Sequence, residues 1–146
     1  MSPAAWKVER ANADCLESAR KLLTEADLPV QGLEQAELWC AKDSTDRTIG
    51  LAGLETWGKQ GLLRSVVVDS EHRGSGVGKA IVERVLREAK AKGVDEVYLL
   101  TDTAPRFFER FGFKPVARMR IKGRILESVE FREVCPTTEP MKLVLS

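Results

Sequence analysis

The spacing of apolar and polar positions changes repeatedly along the chain, and each change marks an element. Ala5–Glu9 reads as a short first strand. Leu16, Ala19, Leu22 and Leu23 recur at helical spacing. They predict a helix capped by Asn12 or Asp14 and running to about Ala26, where Leu28-Pro29 ends it. Glu37–Ala41, Thr48–Trp57 and Leu62–Val68 predict three strands, with Asp43–Asp46 and Gly58–Gly61 as the turns between them. Gly50 and Gly53 in the second of these suggest bulges or close backbone approach. The near-continuous apolar run of Leu62–Val68 is that of a buried strand. Val77, Ile81, Val85 and Ala89, widened by Val82 and Leu86, form the stripe of a long amphipathic helix over 76–92, closed by Gly93. Glu96–Thr101 predicts a strand, Ala104–Phe111 a short helix stopped by Gly112, and Phe113–Met119 and Met141–Leu145 two more strands. Ile121–Pro140 carries no readable period. The class is α/β (α+β): antiparallel strands first, then one β-α-β crossover built from 62–68, 76–92 and 96–101.

Length and charge narrow this picture. A chain of 146 residues is the size of one domain, expected to span 1–146, and buries a core without disulfides or metals. The formal net charge of +1 argues against a chain devoted to long nucleic acid. Cys15, Cys40 and Cys135 are odd in number and widely spaced, and His72 is the single histidine, so no metal site is expected. Free cysteines suit a reducing compartment. The N-terminus lacks the pattern of a secretory signal, and no apolar run approaches the ~18 residues of a membrane helix. The expectation is a soluble cytoplasmic protein with no membrane partner.

The strongest chemical signal is the stretch from Val66 to Lys79, where an apolar strand runs into Arg73-Gly74-Ser75-Gly76-Val77-Gly78-Lys79 and glycines open a helix. The first N–H groups of a helix lack internal partners and bind phosphate oxygens, aided by the helix dipole. Arg73 and Lys79 add positive charge. A Walker A loop does not fit, because Gly74 and Gly78 are one residue too close and Ala80 stands where a Mg-binding hydroxyl is needed. The dinucleotide fingerprint does not fit either, because Gly78 arrives one residue early. What fits is Arg-x-x-Gly-x-Gly at Arg73, Gly76 and Gly78. A second motif follows at Thr101-x-x-Ala104-x-x-Phe107-Phe108-x-x-x-Gly112-Phe113.

Together these motifs resemble the GNAT acetyltransferase family, and the resemblance runs through nearly the whole chain. Gly50–Glu55, Leu62–Val68, Tyr98–Thr101, Glu130-Phe131 and Cys135-Pro136 are most similar to a subgroup of small GNAT proteins associated with arsenic-resistance gene clusters. The resemblance implies a GNAT fold: a mixed, mostly antiparallel, V-split sheet flanked by helices on both faces. It implies acetyl-CoA as co-substrate where the central strands splay. Val66, Val67 and Val68 would pair with the pantetheine arm, and a backbone N–H near Val67 would face the thioester carbonyl. Amides from Arg73, Gly74, Ser75, Gly76, Val77 and Gly78 would take the pyrophosphate, with Lys79 beside them. Phe107 would line the pantetheine channel. Thr101 stands where the family has Asn and keeps a hydroxyl. Phe108 stands where the family has its general-acid Tyr, and a benzyl ring donates no proton.

On the acceptor side, Glu55 is the first candidate to orient or deprotonate an amine; the alternative is a Glu before a turn. Arg64 lies in a mostly apolar run and should be paired, with Glu55 as its partner. That pair fits acceptor recognition or a structural ion pair. Ser65, Tyr98, Thr101, Thr103 and Cys135 are the donors available for the leaving thiolate. Cys135 is also a candidate nucleophile or soft ligand, without a histidine nearby in sequence to activate it. The expected activity is acetyl transfer to a small, amino-acid-like amine, with a link to arsenic resistance. The alternatives are a catalytically weak CoA-binding or regulatory module and an arsenic-binding protein using Cys135. A homodimer is expected by family analogy alone.

Overall fold

The computed structural model describes residues 6–12, 15–101, 104–134 and 138–145. The strands among them are β1 (Trp6–Arg10), β2 (Glu37–Asp43), β3 (Thr48–Trp57), β4 (Gln60–Val68), β5 (Glu96–Leu100), β6 (Lys114–Pro115) and β7 (Pro140–Val144). The helices are α1 (Cys15–Glu25), α2 (Val77–Ala91) and α3 (Pro105–Glu109). The strands form one sheet in the order β1-β2-β3-β4-β5-β7-β6. All neighbours are antiparallel except β4 and β5, which pair in parallel across the α2 crossover.

The alternation of side chains along β2 explains why the sheet is covered on both faces. Trp39 and Ala41 face α2, packing with Ile81, Val82, Val85 and Ala89, while Leu38 and Cys40 face α1, packing with Cys15, Ala19 and Leu23. Beyond α1 the same face is covered by the segment after β6, where Ile121, Ile125 and Phe131 close over Leu62 and Tyr98. The described part of that segment before β7, residues 121–134, has no sequence period because it is built from single turns. A 3-10 turn at Arg124–Glu127 precedes a π-helical turn at Glu130–Val134.

Several sequence expectations shift. The β3–β4 turn is only Gly58-Lys59: Trp57 pairs with Gln60, so Gln60 and Gly61 belong to β4. The strand expected over Phe113–Met119 pairs only at Lys114 and Pro115, and Arg118–Arg120 is a 3-10 turn. Gly50 does provide close approach, since a Cβ there would lie 2.7 Å from Ile81 Cδ1 on α2. The expected bulge is there too, since Ala41 pairs with Gly50 but Lys42 with Thr48, and a second irregularity, nearer the cleft, falls on β4. Leu51 pairs with Val67 but Gly53 with Arg64, leaving one extra residue on β4, and Ser65 takes φ +61°. Asp14, Thr103 and Cys135 lie outside the described residues. No described helix is long and apolar enough to cross a membrane.

Candidate active site

β4 and β5 pair only at Gln60–Glu96, Gly61–Val97 and Leu62–Tyr98. Beyond Leu62 the two strands diverge, and a cleft of about 810 Å³ opens between them. Its walls are β4 from Leu63 to Val68 and β5 from Leu99 on to Thr101. One end is closed by the glycine loop and the N-terminus of α2, the other by Asp27–Pro29, Glu130 and Thr138.

The glycine-loop end presents the free amides of a helix N-terminus, the arrangement that suits a phosphate. Gly76 is the helix N-cap at φ +91°, a left-handed conformation that a side chain would strain. The first intrahelical bond runs from the Ala80 N–H to the Gly76 carbonyl, so the amides of Val77, Gly78 and Lys79 precede the helical ladder. A Cβ on Gly74 or Gly76 would meet nothing within 4 Å, whereas one on Gly78 would sit 3.3 Å from Phe107 Cζ and from Val68 Cγ2. The first two glycines thus serve backbone shape, and the third lets the helix approach the cleft wall.

The opposite end carries buried charge. Arg64, 3% exposed, donates from Nη1 to Glu55 Oε2 (3.0 Å), from Nε to Ser65 Oγ (3.0 Å) and from Nη2 to the Gln31 carbonyl (2.8 Å). Its Nε also lies 3.4 Å from Glu130 Oε2. Two buried carboxylates therefore share one guanidinium. Burial pushes the Glu130 carboxyl up to about 7; Arg64 opposes the rise and the Glu55 charge adds to it.

Residues 34–115 match the acetyltransferase (GNAT) domain. The chain belongs to the GNAT acetyltransferase family. It is 32% identical over 120 residues to an amino-acid acetyltransferase of Mycobacterium tuberculosis, covering 80% of this chain and 66% of that protein. It is 29% identical over 121 residues to the amino-acid acetyltransferase of Proteus mirabilis, but spans only 27% of that longer protein. In three dimensions it is similar to a Mycobacterium tuberculosis protein solved in complex with CoA, with TM-score 0.80, 25% identity, and 96% and 99% of the two chains covered. The fold also matches N-acetylglutamate synthase from Neisseria gonorrhoeae, complexed with coenzyme A and N-acetyl-glutamate. There the TM-score is 0.83 at 16% identity, over 98% of this chain and 36% of that one.

Acetyl-CoA, the donor of GNAT enzymes, fits the residues present. Val66, Val67, Val68, Arg73, Gly74, Gly76, Gly78, Lys79, Thr101 and Phe107 all line the cleft. Ser75 and Val77 do not. The Ser75 N–H donates to the His72 carbonyl at 3.3 Å, and the Val77 side chain is buried in the core under α2. Among the acceptor-side candidates, Arg64 and Ser65 reach the cleft wall, whereas Glu55 lies behind Arg64. Phe108 lines the cleft and packs edge-on against Phe107, centroids 5.0 Å apart. Tyr98 is not on the wall, and its hydroxyl donates to Glu96 Oε1 at 2.9 Å. Thr101 Oγ1 accepts from the Ala104 N–H at 3.1 Å while lining the cleft. Among the described residues no His, Cys, Asp and Glu cluster could hold a metal.

Asp27, Glu130 and Thr138 complete the cleft without having been singled out as site residues from the sequence. Glu130 comes from the aperiodic segment, where pattern carries least. Its one signal is the Glu130-Phe131 string, among those that carry the resemblance to small GNAT proteins.

Proposed function

We propose that this chain transfers the acetyl group of acetyl-CoA to the amine of a small, amino-acid-like acceptor by direct attack. The observation that carries this reading is the splay of β4 from β5, which opens straight onto the free amides at the start of α2. Val66–Val68 line the cleft beyond the last β4–β5 pair, on the side where the pantetheine amides would bond as an added strand. A backbone N–H near Val67 is the donor this reading gives to the developing oxyanion, a contact worth ~2.7–4 kcal/mol when preorganised. The amides at the start of α2, with Arg73 and Lys79, hold the pyrophosphate. Thr101 and Phe107 line the arm between them. The acceptor enters beside Asp27, Glu130 and Thr138.

The names of the relatives favour an amino-acid acceptor over a role tied to arsenic resistance. Arg64 already bonds Glu55, Ser65 and the Gln31 carbonyl, which supports the structural side of the two readings of that pair. Phe108 is the observation that favours a weak CoA-binding module instead, since it supplies no acid for the leaving thiolate. Homodimerisation and a cytoplasmic location remain part of this reading through family analogy and the free cysteines. Incubation with acetyl-CoA and an amino-acid panel, followed by assay of free thiol, tests it. Release of CoA with an amino acid is expected. Calorimetry showing no CoA binding overturns the whole reading, and tight binding without turnover on any amine favours the module.

A further inference from the structure

We propose that Glu130 is the carboxylate that receives the acceptor's ammonium and takes its proton, held in place by the buried Glu55–Arg64 pair. The inference rests on the acetyl-transfer reading and adds its missing base.

Among the described residues three acidic side chains stand at or near this end of the cleft, and their positions separate their roles. Glu55 Oε2 is 3.0 Å from Arg64 Nη1, and Glu55 does not line the cleft. Asp27 lines the cleft but is exposed, on a loop residue at φ +58°. Among the described acidic residues Glu130 alone is both on the wall and buried, with 6% of its side chain accessible. His72, the single imidazole, lines the phosphate end.

Charge balance gives the site its preference. With both glutamates ionised, the Glu55–Arg64–Glu130 group holds two negative charges and one positive in a buried setting. A bound ammonium supplies the missing positive charge. A neutral amine does not, and an incoming carboxylate meets the wrong sign. Arg64 is already engaged by four oxygens and has no accessible side-chain surface, so it is a fixture for Glu130 rather than a free anchor.

The backbone holds Glu130 for this task. It opens the π-helical turn Glu130–Val134, a rare irregularity that is frequent at functional sites. The Ser128 hydroxyl accepts the Phe131 N–H at 3.2 Å, and the Arg118 guanidinium bonds the Phe131 carbonyl and lies 5.0 Å over its ring. The groups facing Glu130 are therefore Arg64 from β4 and Glu55 from β3, with exposed Asp27 sharing the cleft and Arg118 braced against the same turn.

The proton count closes. The Glu130 carboxylate takes one proton as the ammonium N–H bond breaks. The freed nitrogen lone pair forms the C–N bond to the acetyl carbonyl while the C–S bond breaks and its electron pair stays on sulfur. The second proton shed by nitrogen passes through water to the thiolate, and Glu130 returns its own to solvent. Burial of Glu130 places its ionisation in the neutral range, where it both accepts and releases a proton readily.

The test compares the native chain with Glu130→Gln and Glu130→Asp, using L-glutamate and L-glutamine as acceptors across pH 5.5 to 9 (roughly the range a carboxylate tuned for proton transfer would titrate through). Glu130→Gln is expected to lower kcat/KM by about 10²–10⁴ and to remove the acidic limb of the pH profile. Acetyl-CoA affinity by calorimetry should stay that of the native chain, and Glu130→Asp should recover part of the rate with the limb restored. An active native chain whose Glu130→Gln variant keeps its rate and its limb overturns the inference alone. A native chain that binds no acetyl-CoA, or acetylates neither these two nor any other amino acid of the panel, overturns the acetyl-transfer reading and the inference with it.

Discussion

Gly78 leaves room for Phe107 on the wall of the cleft: a Cβ on the glycine would lie 3.3 Å from the ring's Cζ. Gly78 sits in the first turn of α2, where alanine is favoured over glycine by up to about 1 kcal/mol, an amount comparable to the cost of the tight contact. Gly78→Ala should therefore leave folding stability within about 1 kcal/mol of the native value. Its methyl stands between the helix and the arm of the donor, so acetyl-CoA affinity should fall. Urea denaturation beside calorimetric titration with acetyl-CoA checks both. A variant that loses stability but keeps its affinity means that the glycine serves the helix, not the cleft.

A second close approach fixes how α2 lies on the sheet. A Cβ on Gly50 would come 2.7 Å from Ile81 Cδ1, inside any real contact. Gly50→Ala should cost ~1–3 kcal/mol, the usual range for overpacking. Ile81→Val removes the clashing methyl and by itself costs ~0.5–1.5 kcal/mol. Combined, the two should cost less than their sum, and a double-mutant cycle in urea reads the coupling directly. Additive losses show that the helix shifts as a body instead.

The two motifs that pointed to the site were legible because they are local. Strand, glycine loop and helix follow one another in the chain, and the Arg73, Gly76 and Gly78 spacing reports a backbone shape that few other residues permit. The amphipathic stripe of α2 was equally plain, since one face meets β3 and the other meets water. The acceptor end was not legible. Glu130 reaches Arg64 only because the chain leaves the sheet after β6, makes single turns and returns as β7. Such turns leave no hydrophobic period to read. The bulge at Ser65 was hidden for a different reason, because its φ of +61° falls on a residue that is not glycine. The pairing of Arg64 with Glu55 could be expected, since both sit on neighbouring strands and a charge in an apolar run needs a partner. A second carboxylate on the same guanidinium could not.

That second carboxylate makes the group costly to break and cheap to replace. Arg64→Met leaves Glu55 and Glu130 buried without a cation, and should destabilise the fold by ~3–5 kcal/mol. Adding Glu55→Gln and Glu130→Gln removes the stranded charges. The triple variant should regain most of the lost stability while remaining inactive. Denaturant midpoints and acetylation rates, measured on the same preparations, separate the two effects. A triple variant no more stable than Arg64→Met would mean that the loss came from the guanidinium's bonds to Ser65 and Gln31.

Glu130 also gives stability a pH dependence of defined sign. Its carboxyl is raised from 4.5 in the unfolded chain to about 7 in the folded one, chiefly by burial. Between those values the native state holds a proton that the unfolded state has released, so stability falls as pH rises through this window. The loss from this one group is about 3 kcal/mol and is complete above the folded value. Glu130→Gln cannot ionise and lacks this slope. Relative to the native chain, the variant should therefore gain about 3 kcal/mol between pH 4.5 and pH 8. Urea unfolding of both proteins at the two pH values measures it, and parallel profiles would place the Glu130 carboxyl at its ordinary value.

Phe108 offers the last test, because it concerns the leaving group rather than the base. Its ring lines the cleft, 7% exposed, with Phe107 and Phe113 packed edge-on at 5.0 and 6.1 Å between centroids. Phe108→Tyr keeps those contacts and adds one hydroxyl. A positioned acid typically contributes ~10²–10⁴ in rate when proton transfer limits the step. The variant should raise kcat by at least about tenfold while leaving acetyl-CoA affinity near the native value. Because the phenol stays protonated to about pH 10, the gain should persist across the neutral range and leave the acidic limb assigned to Glu130 in place. An unchanged kcat would mean that water protonates the thiolate fast enough for phenylalanine to carry no catalytic cost.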